Sequence, residues 1–457
     1  MRPVPPPELL GAGKAMPRID ATRIVERSER IVDVVSVAEP SLRGHCSRDA
    51  NGSREGAGSD RHEYSGPRLV RRGTILAFGV YYWGTYWQTR QQVLSRLAAR
   101  GWRVGYTTPA MSIWERGGLR WRDSAWRSQT VDCDGVRIRY PGRIPVLLHR
   151  ANVWDRLVMR RHARLLASSM WKRGDDRSIA YVFHPSFWPY VEALRSCRIV
   201  YHADDRITGM PGSTAELAEF ERALCEHADQ IFAATPGIAA ALGSAAIGKT
   251  LIVPNGADAE AYGNARASAV PADLAAIPRP RVAYAGSLNE KIDFALIGRL
   301  ARARPKIHWL LIGLFSGEQH LSSGTRAALD ECRQLANVHF LAEKDYRDLP
   351  SYCAHVDANA MFYRTDGAGW WRDIYPLKLH ECLATGRPLV SSDIAAVREF
   401  ARAVAVCTSD AEWLDAVDAA VAGRALGSAQ DRIAVARANT WERRVDQIET
   451  SLGRLLA

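Results

Sequence analysis

The chain reads Tyr375-Pro376-Leu377-Lys378-Leu379-His380-Glu381-Cys382-Leu383-Ala384-Thr385-Gly386-Arg387-Pro388-Leu389-Val390-Ser391-Ser392-Asp393 near its C-terminal end, and this stretch decides the fold. Pro376 suits a first helical turn, where its missing N–H costs nothing, and Gly386 suits the left-handed residue that ends a helix. Leu389-Val390-Ser391-Ser392 then has the pattern of a short buried parallel strand. Lys378 and Glu381 stand three apart, so they share one face near the helix start. The simplest use of such a pair is a salt bridge on a solvated surface. The glycine stop and buried strand instead put it at the mouth of a sheet, where open α/β sheets bind ligands. There a lysine and a helix N-terminus suit a diphosphate, and a carboxylate suits the paired hydroxyls of a ribose. The stretch outlines a nucleotide-sugar site.

Upstream, strands and helices alternate. Thr74 to Val80 reads as a strand, Thr89 to Arg100 as an amphipathic helix stopped by Gly101, and Trp102 to Thr107 as the next strand. Further strands follow at Ile179 to Phe183, Arg198 to Tyr201, Gln230 to Ala234 and Thr250 to Val253. Pro254-Asn255-Gly256-Ala257-Asp258 marks a tight turn of structural character, and Ala265 to Pro280 reads as a connector. A second alternating unit starts at Arg281 to Gly286, with strands at His308 to Ile312, Val338 to Leu341, Ala358 to Phe362 and around Leu389, and terminal helices from Asp410 onward. The expected class is therefore α/β: two Rossmann-like, doubly wound domains facing across a cleft, over residues 71–260 and 261–425. Residues 426–457 are expected to pack back as a helix toward the first domain. Residues 1–70 differ in character, with Pro3 to Pro7 and a polar segment from Ser41 to Gly66. Such composition cannot bury enough apolar surface to offset its ordering entropy, so a disordered tail is expected.

The chain has 457 residues and a formal charge of +11, which favours anionic partners. Its eight cysteines form no Cys-x-x-Cys pair, which argues for scattered thiols in a reducing compartment and against a disulfide frame or zinc site. No apolar run reaches the roughly 18 residues of a transmembrane helix, and no apolar signal core precedes the domains. A cytoplasmic protein with contact to the inner face of the membrane is expected.

Several residues could carry chemistry. Gly286-Ser287-Leu288 follows a strand and precedes a helix, so its backbone N–H groups could approach a phosphate. Asp204-Asp205 end a strand of the first domain; one could deprotonate an acceptor hydroxyl while the other orients it. Arg206 beside them could lower either pKa. Asp373 and Glu381 stand eight apart across the helix entrance. Glu343 and Tyr363 each follow a strand of the second domain, where one could meet a base and the other a phosphate or sugar. Asp204-Asp205 are adjacent and Asp175-Asp176 lie in a loop, so neither pair forms an Asp-x-Asp metal motif. Charge on a leaving diphosphate would fall to Lys378, helix dipoles and Arg364 or Arg372. Tryptophans from Trp83 to Trp188 are interleaved with arginines, most densely in Met111 to Arg127 and Val153 to Arg173. That mixture suits an anionic membrane surface; no nucleic-acid module is present.

Together these residues resemble a GT-B glycosyltransferase. The resemblance covers about residues 73 to 450 and is strongest in the Tyr284-Ala285-Gly286-Ser287-Leu288 loop and the Pro376-to-Val390 segment. It is closest to the xanthan-type glucuronosyltransferases, membrane-associated enzymes of exopolysaccharide assembly. They transfer glucuronate from UDP-glucuronate to a polyprenyl-diphosphate-linked saccharide, with inversion and without a metal or cofactor. The resemblance implies a UDP-sugar donor and a lipid-linked saccharide acceptor. It implies Lys378 as the donor-phosphate lysine with Leu377 beside it, Glu343 toward uracil, Tyr363 on the donor, and a catalytic aspartate in Asp204-Asp205, with Asp205 favoured. That family has glutamine where this chain has Glu381, and Asp373 takes the place of the first glutamate in the Glu-x7-Glu pattern of retaining relatives. A retaining enzyme using GDP-mannose or another hexose donor is the alternative on this fold. A sugar-nucleotide epimerase using His202, or a silent GT-B binding protein, is the alternative of another class.

Overall fold

The computed structural model describes residues 72–84, 87–149, 153–170, 177–194, 197–210, 212–367 and 369–457. The expected tail (1–70), Trp171 and Asp175-Asp176 lie outside the described residues.

Two sheets carry the molecule. The first holds β1 (Thr74–Phe78), β2 (Arg103–Thr107), β3 (Gln129–Cys133), β4 (Val136–Tyr140), β5 (Ser178–Val182), β6 (Arg198–Ala203), β7 (Gln230–Ala233) and β8 (Thr250–Ile252), in the order β3-β4-β2-β1-β5-β6-β7-β8. The second holds β9 (Arg281–Ala285), β10 (His308–Ile312), β11 (Val338–Leu341), β12 (Ala358–Met361), β13 (Leu389–Ser392) and β14 (Ala405–Cys407), in the order β11-β10-β9-β12-β13-β14. The second order is the doubly wound pattern in which the first strand is central and the chain switches direction beside it. Every pairing is parallel except β3 with β4. Parallel strands buried on both faces explain the near-continuous apolar runs: β1 and β5 are buried along their whole length. The strand order reverses between β1 and β5 and again between β9 and β12. Crevices at such reversals, at the carboxyl ends of the strands, are where this architecture takes ligands.

The hairpin β3–β4 and the edge strand β14 were not among the expected elements. The hairpin turns on Asp134 (φ 51) and Gly135 (φ 76), both left-handed, and Asp-Gly between short alternating runs is a signal for such a turn. The segment from Ser428 onward divides into two helices, Ala429–Ala438 and Trp441–Leu455. Thr440 breaks the run in extended backbone and caps the second helix, accepting from the Arg443 N–H.

That last helix crosses to the first domain. Trp441, Val445, Ile448 and Leu452 join the core formed by Ile75, Val93, Leu97 and Ile179. Its polar face pairs with the helix Thr89–Ala99: Arg96 reaches Glu442 at 2.7 Å, and Arg100, just past that helix, reaches Asp446 at 2.6 Å. Among the described residues no helix is long and apolar enough to cross a membrane.

Candidate active site

A cleft of about 1590 Å³ runs between the sheets, lined from the first domain by Asp204 and Asp205 and from the second by Gly286, Ser287, Lys378 and Glu381. Both sets lie at carboxyl ends of strands. β6 delivers the aspartates, β9 delivers the glycine–serine turn, and the helix Lys378–Ala384 delivers the other two.

Lys378 is held in place before any ligand arrives. Its Nζ donates to the Tyr284 hydroxyl at 3.1 Å and to the Tyr363 hydroxyl at 3.0 Å, and it lies 4.3 Å from the centre of the Tyr284 ring. Gly286 has φ 143, and a Cβ there would stand 2.7 Å from Lys378 Nζ, so only glycine lets the lysine approach this backbone. Tyr363 lines the cleft itself and also accepts from Lys378. Leu377 lines the cleft beside it. The helix has only seven residues, so the lysine ammonium, rather than a summed helix dipole, supplies most of the positive field. Glu381, one turn on, hydrogen-bonds the Tyr262 hydroxyl; burial raises its carboxyl to about 7, against the pull of Lys378. Gly386 takes the left-handed conformation (φ 70) that ends this helix.

The aspartates sit opposite. Burial lifts Asp204 to about 7, with the Asp205 charge adding and Arg90 opposing. Burial lifts Asp205 to about 6, opposed by Lys291. Lys291 itself is lowered to about 8, first by burial and then by repulsion from Lys378, while Asp205 opposes the shift. Lys291 was absent from the residues picked out in the sequence. It stands five residues after Gly286 in the same loop, and that shared loop is the only signal that could have found it. The site thus carries two facing carboxylates and two facing ammonium groups in a mostly enclosed space, an arrangement suited to withdrawing one proton while stabilising a departing anion.

The other sequence candidates lie elsewhere. Arg206 does not depress the aspartates: it pairs with Asp373 at 3.3 Å. Asp373 is consumed as an interdomain tie, its carbonyl accepting from the Thr235 hydroxyl at 2.8 Å. Arg364 is held by Glu290 and by Asp366 (2.8 Å) and stacks on Trp371. Arg372 donates to the Gly367 carbonyl at 3.1 Å. Neither Arg364, Arg372, Asp373 nor Glu343 is among the residues that line the cleft; Glu343 is half-buried, and burial raises its carboxyl. His202 is buried against Tyr181 at 2.8 Å, lowered to about 3 by that burial, and is not among the residues that line the cleft. Among the described residues no cluster of three His, Cys, Asp or Glu side chains is placed to hold a metal ion.

Two further contacts join the domains at the cleft. Asn255 accepts from the Thr89 hydroxyl at 2.8 Å and donates to the Tyr375 carbonyl at 2.7 Å. Trp87 of the first domain stacks on Tyr346 of the second, ring centres 4.4 Å apart.

No family model matches the chain. A Bacillus subtilis (strain 168) protein that carries the name of a teichuronic acid biosynthesis glycosyltransferase, TuaH, is 27% identical over 111 residues; the match covers 24% of this chain and 26% of that protein. The chain thus spans about a quarter of that relative's length. Among solved structures, the sucrose-phosphate synthase of Thermosynechococcus elongatus aligns with 84% of this chain and 99% of its own, at TM-score 0.62 and 16% identity. The E. coli trehalose-6-phosphate structure bound with UDP-2-fluoro glucose aligns over 83% and 99%, at TM-score 0.61 and 15% identity. Anabaena HepE in complex with UDP and glucose aligns over 83% and 98%, at TM-score 0.60 and 15% identity. Likeness at such identities is likeness of fold, and the fold of this chain, two parallel sheets closing on a shared cleft, is that of the GT-B glycosyltransferases.

Proposed function

We propose that this chain is a glycosyltransferase that moves a sugar, glucuronate, from a UDP-linked donor to a lipid-linked saccharide. The observation that carries the reading is the opposition of Lys378, packed on the Gly286 backbone, to Asp205 across the cleft. The donor diphosphate would lie between the Gly286-Ser287 turn and Lys378, with Lys291 as a second cation and Glu381 on the ribose. Asp205 takes the proton of an acceptor hydroxyl. That oxygen then bonds to the anomeric carbon as the bond from that carbon to the diphosphate oxygen breaks, and UDP leaves with its new charge met by the two lysines. Asp205 suits the base better than Asp204, because Lys291 beside it favours the ionised form.

Neighbours with the same fold carry UDP or a UDP-sugar analogue in their structures, which supports the donor class. The TuaH match, named for teichuronic acid, supports an acidic glycan. For the acceptor, the support is a rim of the first domain. Trp114, Trp126, Ile144, Val153, Trp154 and Leu157 are all exposed there. Backbone bonds from Ile144 to Trp126 and from Ile113 to Leu147 bring these segments together, and Arg143 lies over the Trp126 ring at 5.2 Å. Apolar rings set among arginines suit an anionic bilayer holding a lipid-linked acceptor at the cleft mouth. The mechanism calls on no metal or cofactor.

The test is transfer from UDP-glucuronate to a lipid-linked saccharide. Asp205→Asn should lower the rate by at least about 10²-fold while UDP binding persists, and EDTA should leave the wild-type rate unchanged. Transfer undiminished in Asp205→Asn would overturn the assignment.

A further inference from the structure

Arg90 opens the helix Thr89–Ala99 on the cleft side of the first sheet. It lines the cleft but is only 5% exposed. A buried guanidinium is ordinarily paired, because an unpaired charge out of water is costly. Here Nη1 donates to the Gln88 side chain, Nε is buried with no hydrogen-bond partner, and among the described residues no carboxylate forms an ion pair with the group. The Tyr81 ring beneath it, 4.5 Å from the guanidinium carbon, fixes its plane. Asp204 is near enough to feel its charge yet makes no hydrogen bond to it. The side chain is thus held rigid, short of an anion, and adjacent to the aspartates where donor sugar and acceptor hydroxyl must meet. Arg364 and Arg372, the two arginines expected to meet the charge of a leaving diphosphate, are engaged elsewhere.

We propose that Arg90 reads the carboxylate of a uronic acid residue on one of the two sugars that meet at Asp204-Asp205. The inference rests on the glycosyltransferase reading above. A planar guanidinium with donors still unused matches a carboxylate. One such group, already bonded to Gln88, suits a single negative charge better than a phosphate dianion. The N-terminal turn of its own eleven-residue helix adds a favourable partial charge. A neutral sugar would leave the buried donor unmet, and that asymmetry would produce the selectivity.

The experiment compares wild type with Arg90→Gln and Arg90→Lys, each first checked for an unchanged thermal melt. In the donor arm, calorimetry without acceptor measures UDP, UDP-glucose and UDP-glucuronate. In the acceptor arm, the KM for lipid-linked saccharides ending in a uronate is compared with that for neutral ones. The proposal expects Arg90→Gln to weaken the acidic substrate in one arm by at least about tenfold relative to its neutral counterpart, with Arg90→Lys between. A donor-arm loss places the carboxylate on the transferred sugar, and an acceptor-arm loss places it on the acceptor. A parallel loss for acidic and neutral substrates in both arms, or no change in either, overturns the proposal. If wild type binds UDP and transfers sugar but never prefers an acidic substrate, the Arg90 inference fails alone. If wild type does not bind UDP, the glycosyltransferase reading fails first.

Discussion

Asp204 and Asp205 are adjacent carboxylates whose pKa values both rise, to about 7 and about 6. A base must be ionised to act, so kcat/KM should climb as pH rises through about 6 and fall away below it. A complementary result belongs to stability. The folded protein holds the Asp204 proton more tightly than the unfolded chain does, so that share of stability is present at low pH and is lost as pH rises through about 7. Asp204→Asn should therefore melt a few degrees above wild type at pH 8, on the order of 2–4 °C, with the gain disappearing near pH 4. A gain that grows on acidification would contradict the burial of this pair. Lys378, Glu381 and Asp205 were legible in the sequence because each stands at a strand or helix terminus that the pattern locates. Lys291 and Arg90 were not. One sits in a loop without periodicity and the other looks like any basic residue on an amphipathic helix, and only the closed cleft shows what each faces. Arg206 misled for the same reason: nearness in sequence to the aspartates says nothing about Asp373, which claims it from the other domain.

The turn after β9 sets the place of Lys378. Gly286 is placed so that its missing side chain admits Lys378 Nζ, and its φ of 143 is one that L-residues rarely adopt. Gly286→Ala should thus weaken UDP binding by about tenfold or more, from about 1–3 kcal/mol of backbone strain and a displaced lysine. Calorimetry reads this directly, and unchanged affinity would show that the turn lies away from the diphosphate. Most of the strands were legible because parallel strands buried on both faces leave unbroken apolar runs bounded by glycine or proline. The exposed hairpin β3–β4 has half its residues in water and lacks that signature, and β14 is a three-residue edge. The final helical run was read as one piece because no glycine or proline interrupts it between Ser428 and Ser451, whereas the break at Thr440 answers to the Asn255-Gly256 turn packed against Trp441.

At the scale of the whole molecule, the two domains are tied around the cleft by the last helix, by Asn255 and by the Arg206–Asp373 pair. Trp114 of the aromatic and basic rim also lines that cleft. Vesicle flotation should find the protein on anionic bilayers, with a several-fold loss in a Trp126→Ser, Trp154→Ser double variant; equal partition with and without anionic lipid would count against the rim as a membrane surface. The two-sheet plan was legible in the alternation of the sequence, but the membership of each side of the cleft was not, since it depends on which loops the sheets bring face to face. The central claim is that this cleft is a uridine diphosphate site built on Lys378. Its most direct test is calorimetric titration of UDP and GDP into wild type and Lys378→Ala. Selective binding of UDP that Lys378→Ala abolishes is the predicted result; preference for GDP, or UDP binding that survives the loss of Lys378, would contradict it.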